Sequence, residues 1–160
     1  MLKYKRRIRK SLGFPAFNNM YINVLELLEE AAKKNPDTVA LSDENNSVTY
    51  REFLLKAKSI GSYLANNKCG RLNAPRPIGV LIGRNIESII SFMGCVYSGN
   101  FYVPIDITMP KARLDLMLDT LKPAAIIDAA HNEKVSIPNT IKYDEMVNCN
   151  IDEEKLTDIR

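Results

Sequence analysis

Residues 98–118 read SGNFYVPIDITMPKARLDLML, and this stretch decides the fold class. Ser98-Gly99 ends a long apolar run at the place where a helix C-terminus favours a left-handed residue. Phe101-Tyr102-Val103 is strand-type. Pro104, Asp106 and Pro110 then route the chain toward a new helix. Pro110 is expected at its first position, and Leu114, Met117, Leu118 and Leu121 form its apolar stripe. The order helix, strand, loop, helix is half of a parallel-sheet unit, and the flanking sequence supplies the rest.

Upstream, IGVLI (78–82) is a short apolar run suited to a strand covered on both faces. Gly83-Arg84-Asn85 turns the chain, with Asn85 placed to cap the next helix. IESIISFMGCVYS (86–98) has helical length and is apolar around most of its circumference, which predicts deep burial. Downstream, Lys122-Pro123 stops the helix and AAIID (124–128) reads as another buried strand. A loop around His131, a short strand near Ile141 and a weakly patterned tail follow. Toward the N-terminus, Asn23 and Glu26 resemble a capping box opening a helix with Leu25, Leu28 and Ala32 on one face. TVALS (38–42) is strand-like and DENNS (43–47) a turn. Thr49 and Glu52 form a second box, and Phe53, Ala57, Ile60 and Leu64 carry the helical period. Strands alternating with helices in this way predict a layered α/β fold with a parallel sheet. The strands near 78–82, 101–103 and 124–128 are expected to be mutually parallel.

The chain has 160 residues, 46% of them apolar and 26% charged, enough for one domain with a real core. No run approaches the length of a membrane span. Cys69, Cys95 and Cys149 are far apart and contain no Cys-x-x-Cys, which argues against a disulfide framework or a zinc site and for a reducing, cytoplasmic setting. Residues 1–20 hold six of the 22 basic residues and no acid, so the remainder carries 16 basic against 19 acidic, a net of −3. The overall +3 belongs to this segment, read as a basic, flexible leader. A basic segment also suits nucleic acid or an anionic membrane, but neither is the favoured partner.

In parallel α/β sheets, ligands bind beyond the C-terminal ends of the strands. Here those ends are Ile82–Asn85, Val103–Asp106 and Asp128–Ala130. They offer little chemistry. Gly79 and Gly83 lack dinucleotide-fingerprint spacing, and no Gly-x-x-x-x-Gly-Lys-Ser/Thr loop or Gly-x-Ser-x-Gly elbow occurs. His131, the single histidine, reads as a solvated loop residue. Asp106 and Asp128 read as structural carboxylates at strand ends, and Arg84 as a surface arginine.

Two segments carry a resemblance. VTYREF (48–53) and GNFYVPIDITMPKARL (99–114) are similar to the first two core motifs of adenylate-forming, AMP-binding ligases. NPDTVAL before the first motif, and IGVLIGRNIESIISFMGCVYSG before the second, resemble the family's context. The likeness covers about residues 23–145. The wording YVPID is similar to the amino-acid-activating branch, the adenylation domains of nonribosomal peptide synthetases and D-alanine–carrier protein ligases. Asn100 departs from the small residue common there.

The resemblance implies an incomplete N-terminal subdomain of that fold: a leader (1–20), the N-terminal part of an adenylation domain (21–150) and a truncated tail (151–160). For the intact enzyme it implies ATP and Mg²⁺, a carboxylate substrate, an amino acid by the wording of its motif, and a phosphopantetheinyl carrier protein. The family's phosphate loop, ribose-binding acid and catalytic lysine have no counterpart in the 160 residues. No catalytic, cofactor-binding or metal residue is therefore assigned, and the chain alone is expected to be inactive, with an uncovered strand edge that favours aggregation. The alternative is a non-catalytic remnant, or a binding module with a basic anion-binding tail. Deleting residues 1–20 is expected to leave the thermal unfolding of the rest unchanged. Salt-sensitive binding to DNA or anionic vesicles that vanishes on deletion would overturn the leader reading.

Overall fold

A computed structural model describes residues 23–67, 69, 74–131 and 137–159. The basic leader lies outside the described residues. The chain opens with helix α1 (Val24–Lys34), whose first turn is capped by Asn23 Oδ1 accepting from the N–H groups of Leu25 and Glu26. Strands β1 (Val39–Ser42) and β2 (Ser47–Thr49) pair antiparallel as a small separate sheet, so the DENNS turn closes a hairpin. Helix α2 (Tyr50–Asn66) begins with a complete capping box between Thr49 and Glu52. The main sheet then forms from β3 (Pro77–Ile82), β4 (Phe101–Asp106), β5 (Ala125–Asp128) and β6 (Thr140–Lys142). Helix α3 (Ile86–Tyr97) joins β3 to β4, and α4 (Lys111–Leu121) joins β4 to β5. Helices α5 (Tyr143–Val147) and α6 (Glu153–Asp158) complete the described chain.

Every pair in the main sheet is parallel, in the order β4-β3-β5-β6, as the alternating pattern predicts. Side-chain alternation sends Ile78, Val80, Ala125 and Ile127 into a large core with α1, α2 and α3. Leu81, Ile105 and Ile126 point to the other face and pack against Leu114 of α4. The result is three layers with unequal covers. The chain passes from β3 to β4 on one side and returns across β3 to β5 on the other, which places the topological switch between β3 and β5.

Small residues set the helix layer. A Cβ on Gly61 of α2 would lie 2.5 Å from Cβ of Tyr97, and one on Gly94 of α3 would lie 2.6 Å from Cβ of Ile60. The two helices therefore meet almost backbone to backbone. Gly99, at φ 75°, takes the left-handed conformation expected after α3, and the N–H of Asn100 donates back to the carbonyl of Cys95.

Three local readings differ from the structure. Pro110 is the N-cap of α4, not its first residue, because its ψ of 136° is extended; its carbonyl accepts from Arg113 and Leu114. The weakly patterned tail contains α6, whose Leu156 is buried against α2. Strand β4 runs on through Pro104 to Asp106, beyond the end expected at Val103. Helix α3 is deeply buried as expected, with Ile89 exposed and Phe92 partly buried and stacked on Tyr102 at 4.3 Å between ring centres.

β4 is the edge of the sheet. The Phe101 N–H donates to the Arg76 carbonyl, so alternate residues from Phe101 onward turn their amides toward β3. Pro104 therefore turns to the free edge, where its missing N–H costs no ladder bond.

The helix crossing supplies a direct test. Gly94→Ala is expected to lower stability by about 1–3 kcal/mol, because the added methyl has no room. Leu116→Ala, at an exposed site, is expected to stay within about 0.5 kcal/mol of the parent. Urea unfolding reads both; an unchanged midpoint for Gly94→Ala would contradict the packing.

Candidate functional site

The strand-end positions expected to matter lie along one side of the sheet. β3 runs out at Ile82 into Gly83-Arg84-Asn85, and α3 starts at Ile86. The N-terminus of a helix carries free N–H groups and partial positive charge, which makes it the natural seat for an anion. Here two side chains already occupy it. Asn85 Oδ1 accepts from the Ser88 N–H at 3.3 Å and from the Ser88 hydroxyl at 2.6 Å. Asp43, from the hairpin turn, accepts the Ile86 N–H at 3.0 Å through Oδ2. Its Oδ1 accepts from Asn46 at 2.8 Å and Asn45 at 2.9 Å. The amides of Asn45, Ile86 and Asn46 hold the Asp43 carboxyl below its ordinary range, so it stays ionised.

The crevice at the switch point is also bridged. Asn85 Nδ2 donates to the Ala129 carbonyl at 2.6 Å, joining the loop after β3 to the chain just past β5. Asn85 thus caps α3 and ties two strand ends together.

Of the remaining candidates, Arg84 is exposed and borders the same place, in a cleft of about 350 Å³ whose lining includes Asp43, Asn85, Ser88, Ile89 and Phe92. Asp106 Oδ1 accepts from the Thr108 N–H and hydroxyl, both at 2.8 Å, forming a turn after β4 and holding its carboxyl below the ordinary range. Asp128 Oδ1 accepts the Ala130 N–H at 3.2 Å. His131 is half exposed, takes φ 51°, and places Nδ1 3.9 Å from Asp144. These groups form no nucleophile–base pair. Among the described residues no three of His, Cys, Asp and Glu gather to hold a metal. A nucleotide phosphate does not fit the start of α3, because a carboxylate fills it.

Two residues gained weight in the structure. Asp43 read only as part of a turn; an Asp opening an Asx-type turn was its signal, but its reach to Ile86 is a tertiary contact. Asn100 is buried, accepts the Arg76 N–H at 2.9 Å, and donates to the Cys69 carbonyl at 2.7 Å and the Ser98 hydroxyl at 3.0 Å. Its departure from a small residue is thus a clasp between the end of α3 and the chain entering β3.

Over residues 28–158 the chain matches the family described as AMP-binding enzyme. It is similar to the polyketide synthase PksN of Bacillus subtilis (strain 168), 33% identical over 102 residues, which are 64% of this chain and 2% of that protein. It is also similar to the nonribosomal peptide synthetase asqK of Emericella nidulans, 28% identical over 106 residues, 66% of this chain and 4% of that one. Among solved structures, the N-terminal subdomain of Klebsiella oxytoca NpsA in complex with anthranilyl-AMSN superposes with a TM-score of 0.70 at 20% identity, over 87% of this chain and 36% of that one. An artificially fused adenylation–PCP di-domain, NpsA-ThdA, from the same organism gives 0.68 at 20% identity, over 84% and 25%. The structural likeness establishes the fold. The chain spans only a few per cent of these curated relatives, and a quarter to about a third of these solved chains.

The Asp43 carboxylate gives a pH-dependent test. Its folded pKa is depressed, so its contribution is complete above the unfolded value of about 4 and is lost as pH falls through the folded value. Asp43→Asn is expected to unfold earlier in urea near neutral pH. Its deficit against the parent is expected to close as pH falls below about 4. A deficit that does not change with pH would contradict the assignment.

Proposed function

Because the chain belongs to the AMP-binding enzyme family, we propose that residues 21–150 form the N-terminal part of the adenylation domain of an ATP-dependent ligase. That ligase activates a carboxylate as an acyl-adenylate with release of pyrophosphate, then passes the acyl group to a carrier-protein thiol. The substrate class we favour is an amino acid, because the relatives include a nonribosomal peptide synthetase and the second motif reads YVPID. Mg²⁺ would accompany ATP in the intact enzyme. Three cysteines without a disulfide suit a reducing cytoplasm.

The observation that carries the reading is the family match over 28–158, with both motifs in their order and spacing. Within this reading the 160 residues serve as platform. Thr49 and Glu52 start α2, Gly99 and Asn100 lock the entry to β4, and Asp106 with Thr108 sets the turn before α4. None of these groups moves a proton or holds a phosphate.

One observation favours a second reading for the chain by itself. The start of α3 and the switch-point crevice are both taken up by internal hydrogen bonds from Asp43 and Asn85. On that basis the 160 residues alone are a non-catalytic module.

Amino-acid-dependent exchange of labelled pyrophosphate into ATP tests the premise that both readings share, that the catalytic groups lie outside these residues. The 160-residue chain is expected to show none with any proteinogenic amino acid. Measurable exchange would defeat the claim that the catalytic groups lie outside it.

A further inference from the structure

We draw no further inference here: the strongest candidate, the apolar surface patch along the free edge of β4, where Phe101 is 46% and Tyr102 38% exposed and Pro104 has no N–H to offer a pairing strand, carries nothing because nothing in the structure shows what covers it.

Discussion

The close crossing of α2 and α3 is the constraint on which the rest of the molecule depends. Gly61 and Gly94 leave no room for a methyl group, so the backbones approach closely and Ile60 packs directly over Gly94. That contact seats Tyr97, fully buried, beneath α2. Its hydroxyl reaches Glu29 of α1 at 3.1 Å. Glu29 lies 4.0 Å from Lys58 of α2, which also holds Glu153 of α6 at 2.8 Å. One crossing thus aligns four helices over one face of the sheet. The core beneath them includes Ile60, Leu64, Ile78, Val80 and Ile90, all fully buried. Each such side chain contributes on the order of 1.5–3 kcal/mol by leaving water.

This arrangement explains why the segment 98–118 looks so specified without being chemical. Gly99 must take a positive φ, Asn100 must reach three partners, Pro104 suits an edge, and Asp106 must hold a turn. Each demand is geometric. The family match over residues 28–158 includes this segment.

Much of the fold was legible because its determinants are local. The side-chain cap at Asn23, the box at Thr49, the apolar period of α2 and the short runs in β3 and β5 each lie within one element. What escaped was tertiary. The Asp43 to Ile86 bond joins residues 43 positions apart, and nothing in DENNS indicates it. Asn100 gave only a departure from a motif, because its partners at residues 69 and 76 come from another loop. Helix α6 has a weak pattern of its own and is held by α2 instead: the Ser62 hydroxyl accepts the Asp152 N–H at 2.9 Å, and Lys155 donates to Asn66 at 2.7 Å. Of the candidate site, the strand ends were located correctly. That Asn85 bridges two of them depends on strand order, which periodicity does not encode.

The proposed role is that of a platform, with the start of α3 and the crevice between β3 and β5 taken up by Asp43 and Asn85. Titrating the 160-residue protein with MgATP while following its backbone amides by NMR tests that claim most directly. No saturable shift is expected at residues 83–88, 106–108 or 128–131. Saturable shifts confined to those loops, weakened by raising salt, would show a nucleotide phosphate seated there and would contradict the claim.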